Sequence, residues 1–102
     1  MSAQTNKIKD SDTDFLLNCI LSLENIEECY AFFEDLCTVP EIKSMARRLA
    51  VAKMLTEEKK YEEIVEKTGA STATISRVNR SLCYGNGGYE TVFSRCGDKF
   101  GQ

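Results

Sequence analysis

The amino-acid sequence predicts an all-α fold, a bundle of helices built as one domain over residues 1–102. Apolar side chains recur at spacings of three and four residues through most of the chain, which is the period of an amphipathic helix. No segment shows the alternation of apolar and polar residues that a half-buried strand needs. A chain of 102 residues fits a single domain, whose core is marginal unless the chain associates.

Residues 1–11 are polar and aperiodic, so we expect a flexible arm there. Residues 12–56 form the helices that we expect to mediate dimerisation. Asp12 and Asp14 suit the start of the first helix, because acids are favourable near a helix N-terminus. The apolar side chains of this helix cover more than half of its circumference, and a monomer of this size cannot bury them all, which is the first indication of a homodimer. They are Phe15, Leu16, Leu17, Cys19, Ile20, Leu21 and Leu23.

Capping residues mark the starts of the next two helices. Asn25 can cap the second helix, and Glu28 stands where it would complete a capping box. Thr38 can cap the third, with Pro40 tolerated in its first turn and Glu41 favourable near the helix dipole. The third helix carries apolar residues on two sides, so it is expected to be covered from two directions.

Two short helical segments, 61–68 and 71–82, are joined by Gly69 and match a helix-turn-helix. A glycine suits the turn because it adopts positive φ at low cost. The GNGG sequence at 85–88 ends the pattern, and residues 89–96 can form a last short helix.

The second of these segments carries the features typical of a DNA-contacting helix. Ser71, Thr72, Thr74, Ser76 and Arg77 are expected to face outward, where short hydroxyl side chains can approach phosphates and base edges. Residues 69–88 also contain a second arginine, at position 80, and no acid. Any two-helix hairpin of a bundle gives a similar pattern, so the motif alone leaves a purely structural role open.

The charge is unevenly distributed along the chain. Its net value of −3 argues against loose, charge-driven binding to nucleic acid or to an anionic membrane. Residues 1–41 hold two basic and nine acidic side chains, whereas residues 42–102 hold eleven basic and seven acidic ones. An acidic half joined to a basic half points to binding of a polyanion by the second half, and two ordinary solvated surfaces remain an open alternative.

Metal binding and catalysis are disfavoured by the composition. The chain has no His, and its five Cys include no CxxC pair, so no metal site is expected. Without His, a metal or paired acids in an evident cleft, we expect no enzyme activity. No stretch is long enough to span a bilayer and none resembles a signal peptide, so we expect a cytoplasmic protein with free thiols and no membrane partner.

The sequence GASTATISRVNRSL at 69–82, preceded by CTVPEIKSMARRLAVAKML at 37–55, resembles the tryptophan repressor family, in particular its YerC/YecD-type relatives. The resemblance extends from about Asp14 to Phe93. It implies an intertwined all-α homodimer in which residues 71–82 are the recognition helix. It also implies a transcriptional regulator, a repressor, that binds double-stranded DNA at a pseudo-palindromic operator. The resemblance and the outward-facing pattern together give the predicted DNA-binding residues: Ser71, Thr72, Ala73, Thr74, Ser76, Arg77 and Arg80.

Two departures from the family concern the first helix of the motif. Where the family carries Arg and Lys, this chain has Glu62 and Val65. Loss of such contacts weakens DNA binding or changes its sequence preference. The alternative is therefore a helical protein-interaction module that keeps the fold without binding an operator.

The resemblance also implies a pocket for a small-molecule corepressor, an amino acid. Arg48 and Arg77 match the two arginines that hold the ligand, and Thr38 matches a threonine at the pocket edge. Guanidinium groups stack on aromatic rings and pair with carboxylates, which suits an amino acid. Val78 replaces a glycine of the family, and its side chain can occupy space that an indole needs, which argues against tryptophan as the amino acid bound. Arg48 as an ordinary helix arginine and Arg77 as a phosphate contact remain open alternatives. No other cofactor is expected.

Overall fold

The computed structural model describes residues 7–99, and the chain is helical through most of this range. The part of the predicted arm at residues 1–6 lies outside the described residues. No β-strand occurs between residues 7 and 99, so the all-α prediction is confirmed. The elements are α1 (Ser11–Leu21), α2 (Ile26–Leu36), α3 (Val39–Thr56), α4 (Tyr61–Thr68), α5 (Thr72–Tyr84) and α6 (Gly88–Cys96), followed by one turn of 3₁₀ helix (Gly97–Lys99).

The chain forms two compact units, of which the first ends at Ile42 and the second begins at Lys43. In the first unit, α1 begins one residue earlier than predicted because Asp10 caps it. The carboxylate of Asp10 accepts a hydrogen bond from the backbone N–H of Thr13 at 2.7 Å, and this bond holds the pKa of Asp10 below its ordinary value. The aperiodic arm therefore cannot extend to residue 11.

The predicted caps of α2 and α3 are present. Asn25 Oδ1 accepts from the N–H of Glu28 at 2.9 Å, but the Glu28 carboxylate accepts from the N–H of Glu24, one residue before the capping position. Thr38 and Glu41 form a reciprocal box: Thr38 Oγ1 accepts from the N–H of Glu41 at 3.2 Å, and Glu41 Oε1 accepts from the N–H of Thr38 at 2.8 Å. The backbone and side-chain hydrogen bonds with Thr38 lower the pKa of Glu41.

No residue of α1 or α2 is buried. Phe15 is 72% exposed and Leu21 is 81% exposed on α1, and Ile26 and Tyr30 are exposed on α2. The apolar excess that the sequence shows in α1 therefore stays uncovered in a single chain.

The hydrophobic core lies in the second unit. Val51 comes from α3, Ile64 from α4, and Ile75 and Val78 from α5; all four are at most 2% exposed. These side chains pack α4 and α5 against each other and against the C-terminal part of α3. α6 closes onto this core through Tyr89 and Phe93, whose rings stack with centroids 5.9 Å apart.

α3 ends at a left-handed residue that is not glycine. Glu58 has φ 61°, and the N–H of Lys59 donates to the carbonyl of Met54 at 3.1 Å across it. This six-to-one bond is the closing bond of a Schellman-type helix end, in which glycine is preferred at the left-handed position. Glu58 therefore holds a conformation that costs free energy for a residue with a Cβ.

Candidate nucleic-acid interface

The turn between α4 and α5 is fixed by glycine and by local hydrogen bonds. Gly69 has φ 73° and its N–H donates to the carbonyl of Val65 at 2.8 Å, which ends α4. Thr68 Oγ1 donates to the carbonyl of Ile64 at 2.7 Å and accepts from the N–H of Ala70 at 3.1 Å. Ala70 is 3% exposed and joins the core. The turn thus sets the direction in which α5 leaves, as the sequence predicts for a helix-turn-helix.

Ser71 caps α5 rather than forming its first turn. Its Oγ accepts from the N–H of Thr74 at 3.1 Å and donates to Thr74 Oγ1, also at 3.1 Å. Helix α5 consequently begins at Thr72, one residue later than predicted, and it continues to Tyr84, two residues further. The N–H groups of Thr72 and Ala73 occupy the first two helical positions, which have no acceptor within a helix.

The predicted DNA-facing side chains lie on the outer face of α5. The structure buries Ile75 and Val78 on the opposite side of this helix. Thr74 is half-buried. The other predicted residues are all exposed: Ser71, Thr72, Ala73, Ser76, Arg77 and Arg80. Six of the seven predicted residues are therefore accessible on α5 or at its cap, and Thr74 is partly covered.

The first turn of α5 differs from that of every other α-helix in the described chain. Each of the other five carries at least one acid in its first turn, where it complements the positive end of the helix dipole. α5 carries none. With Ser71 as the neutral cap, the positive end of α5 is left without a carboxylate of its own, and it suits an external anion.

A polar cleft of about 450 Å³ lies between α3 and the start of α5. Its charged lining groups are three arginines, two from α3 and one from α5: Arg47, Arg48 and Arg77. Ser44, Ser71 and Thr74 add hydroxyl groups, and Ala70 and Gly69 complete the lining. No acid lines this cleft, so it is a positively charged concavity directly beside the outer face of α5.

Arg47 was not predicted from the sequence as a site residue. A signal for it does exist. Ser44 precedes Arg47 and Arg48 by three and four residues, so all three share one face of α3. No acid lies three or four residues from either arginine, so neither has an intrahelical ion-pair partner.

Of the three predicted corepressor residues in the second unit, two line one cleft and the third does not. Arg48 and Arg77 line the same cleft. Thr38 lies in the first unit, where its hydroxyl caps α3. Val78 is 2% exposed, belongs to the hydrophobic core and does not line the cleft. The structure differs from the prediction here because an apolar β-branched side chain on the inner face of α5 packs with Ile64 and Ile75 instead of facing a polar cleft.

The two departures on α4 have different structural consequences. Glu62 is exposed, and Val65 is half-buried against the core. Lys67 pairs with Glu63 at 3.3 Å, four residues apart on the same helix. Val65 therefore serves packing, and α4 presents an acid where the resemblance would place a basic contact.

A larger cleft, of about 590 Å³, lies among α3, α5 and α6. Leu55, Leu82 and Phe93 line it, and its one charged lining residue is Glu90. A mainly apolar cleft whose one charged group is an acid offers no cation to pair with a phosphate, so size alone does not make it the candidate site.

Between residues 7 and 99, potential metal ligands are not clustered and no helix could span a membrane. No three His, Cys, Asp or Glu side chains are grouped there as a metal site. All five cysteines are free, and two of them, Cys83 and Cys96, are exposed. None of the helices in that range is both long and apolar enough to cross a bilayer.

Comparison with known proteins gives consistent matches over nearly all of this chain. The family described as Trp repressor protein matches residues 11–96, which spans both units. The protein YerC of Bacillus subtilis (strain 168) is 55% identical over 92 residues, which cover 90% of this chain and 88% of YerC.

Two solved structures share both the fold and the sequence. A TrpR-like protein from Eubacterium eligens ATCC 27750 superposes with a TM-score of 0.87 at 58% identity, covering 91% of this chain and 96% of that protein. A proposed Trp repressor from Staphylococcus aureus superposes with a TM-score of 0.85 at 52% identity, covering 92% and 94% respectively.

Proposed function

Because this chain belongs to the Trp repressor protein family, we propose that it is a sequence-specific DNA-binding transcriptional regulator in the cytoplasm, a repressor that acts as a homodimer. In this proposal α5 enters the major groove, and its N-terminal residues contact base edges and phosphates. The repressing effect would come from occupation of an operator. Membership of the family supports a helix-turn-helix regulator; the operator and the sign of regulation belong to the proposal.

The observation that carries the proposal is the composition of the exposed face of α5. This face combines short hydroxyl side chains with two exposed arginines, and residues 69–88 contain no acid although the whole chain is acidic. Hydroxyl groups and helix N–H groups contact phosphates, and short side chains allow the helix to approach base edges closely. The absence of an acid from the first turn of α5 removes the group that would repel DNA there.

The homodimer is supported by the apolar surface of the first unit. Phe15, Leu21, Ile26 and Tyr30 are each at least 64% exposed, although burial of such side chains is the main driving force of folding and association. A second copy of the chain would cover them. Analytical ultracentrifugation should show a dimer, and Phe15→Asp combined with Leu21→Asp should shift it toward monomer. A monomeric wild-type protein at micromolar concentration would contradict this part of the proposal.

Selection of bound sequences from random duplex DNA tests the function directly. The expected result is one enriched pseudo-palindromic sequence, because a two-fold symmetric dimer places two α5 helices in successive major grooves. The selection is repeated with each of the twenty amino acids added, since an amino-acid corepressor would sharpen the enrichment. Enrichment of no sequence under any of these conditions would refute an operator-binding role.

A protein-interaction module is the second candidate. It is favoured by the exposed acid Glu62 and the half-buried Val65 on α4, where the family resemblance places basic contacts. A pulldown that recovers one protein in stoichiometric amount, together with a selection that enriches no DNA sequence, would decide for it.

A further inference from the structure

Three arginines that face one cleft have no partner to neutralise them. Between residues 7 and 99, the side chains of Arg47, Arg48 and Arg77 take part in no salt bridge or hydrogen bond. None of the three has an acid three or four residues away in the sequence. Guanidinium groups stay charged at any physiological pH, so the cleft holds three positive charges that repel one another.

The donors around this cleft match the geometry of an oxyanion. A guanidinium group presents its N–H donors as a planar fork, which binds phosphate and carboxylate oxygens in pairs. Ser44 contributes a hydroxyl from α3, and Ser71 and Thr74 contribute theirs from the start of α5. The first turn of α5 adds the positive end of a 13-residue helix.

The residues of the second unit that line the cleft do not by themselves suit an aromatic amino acid. Pockets for such ligands are lined mainly by apolar and aromatic side chains with a few polar groups to fix orientation. In this cleft Ala70 is the one apolar side chain, and Val78 is packed in the core instead.

We propose that the cleft of Arg47, Arg48 and Arg77 is a binding site for a phosphate group, and not for an aromatic amino acid. Its regulatory consequence rests on the proposed function. A phosphate bound there lies against Ser71, Thr74 and Arg77, which belong to the proposed DNA-contacting set. The phosphate comes either from the DNA backbone or from a free phosphorylated compound, and a free compound in the cleft modulates the contact of α5 with DNA.

Calorimetric titration of the full chain with inorganic pyrophosphate, without DNA, tests the site itself. Pyrophosphate should bind saturably, and Arg47→Ala should weaken it about tenfold or more, because one charge-assisted interaction is lost. Lys43→Ala is the matched control: it removes an exposed positive charge from the same helix but outside the cleft, and it should leave the affinity nearly unchanged. Arg47→Lys keeps the charge but not the fork, so it should restore the affinity only in part. Circular dichroism confirms that each variant is folded.

Three results would overturn the phosphate site. The first is no binding of pyrophosphate to the wild-type protein, and the second is an equal loss of pyrophosphate affinity in the Arg47 and Lys43 variants. The third is saturable binding of L-tryptophan that pyrophosphate displaces and that Arg47→Ala does not affect. Because the chain has no Trp, tryptophan binding is followed by the ligand's own fluorescence.

Fluorescence anisotropy of a labelled duplex distinguishes the two sources of phosphate. If the cleft takes a backbone phosphate, saturating pyrophosphate displaces the duplex and Arg47→Ala reduces the salt slope of binding by about 1. If it takes a free compound, saturating pyrophosphate changes the affinity for the duplex without displacing it, and Arg47→Ala leaves the salt slope of binding unchanged. Both results support a phosphate site. If pyrophosphate binds through the arginines but no DNA sequence is selected, the phosphate site is supported and the proposed function is refuted. If a DNA sequence is selected but no phosphate binds in the cleft, the proposed function is supported and the phosphate site is refuted.

Discussion

Replacing Thr72 and Thr74 together by glutamate should strengthen the fold while it abolishes DNA binding. Both threonines lie in the first turn of α5, which has no acid, and a negative charge at such a position stabilises a helix by about 0.3–1 kcal/mol. A glutamate three residues after Ser71 also completes a capping box. An increase of about 1 kcal/mol in the free energy of unfolding corresponds to a rise in Tm of about 4–8 °C for a domain of this size.

The same two substitutions act in the opposite direction on DNA. They change the charge of residues 69–88 from +2, given by Arg77 and Arg80, to zero, and they place two carboxylates against phosphates and base edges. Loss of two specific contacts at about 1–3 kcal/mol each weakens binding by about 30-fold to 20,000-fold. Thermal melting followed by circular dichroism measures the first effect, and fluorescence anisotropy on the selected duplex measures the second.

A matched control comes from the other end of the chain. Ser11→Glu with Thr13→Glu makes the same charge change at the equivalent positions of α1, where Asp10 is the cap. Ser11 is exposed like Thr72, and Thr13 is half-buried like Thr74. This control should retain DNA binding within a few-fold. Unchanged DNA affinity in the α5 variant would refute the assignment of α5 as the recognition helix. A lower Tm of the α5 variant would refute the argument that the positive end of α5 lacks a stabilising carboxylate and so suits an external anion.

Three further predictions concern the fold. Glu58→Gly should raise the free energy of unfolding by about 0.5–1 kcal/mol, since Glu58 has φ 61°. The control Glu57→Gly should not raise it. Chemical denaturation compares the two variants, and equal effects would contradict a cost of the left-handed conformation at Glu58. Ile64→Ala should lower the free energy of unfolding by about 2–5 kcal/mol, because Ile64 is 0% exposed in the core; a loss below 1 kcal/mol would show that the site collapses around the cavity. Thr38→Ala should raise the pKa of Glu41 toward its ordinary value of 4.5 in an NMR titration. Because folding lowers that pKa, the ionised Glu41 carboxylate stabilises the fold above about pH 4.5, and this stabilisation is lost as the pH falls through the folded pKa. The stability difference between wild type and Thr38→Ala should therefore shrink in acid. A difference that stays constant with pH would exclude this linkage.

Local features of the fold followed from local sequence. Asn25 and Thr38 cap the helices that the sequence assigns to them, and Gly69 adopts the left-handed conformation expected of the turn. Such features depend on side chains within a few residues of one another, so their spacing along the chain is sufficient information. The outward face of α5 followed for the same reason, because the burial of Ile75 and Val78 fixes the orientation of the helix.

The composition of the cleft depended on tertiary structure. Arg47 and Arg77 are thirty positions apart in the sequence, and only the packing of α5 against α3 around Val51, Ile75 and Val78 places them on one concavity. The same packing buries the Val78 side chain in the core, although the sequence had suggested that Val78 contacts a ligand. The sequence by itself determined an all-α chain with an acid-free, hydroxyl-rich α5. Tertiary structure alone decided that three unneutralised arginines converge beside it, because periodicity reports which face of a helix is apolar and not which helix that face will meet.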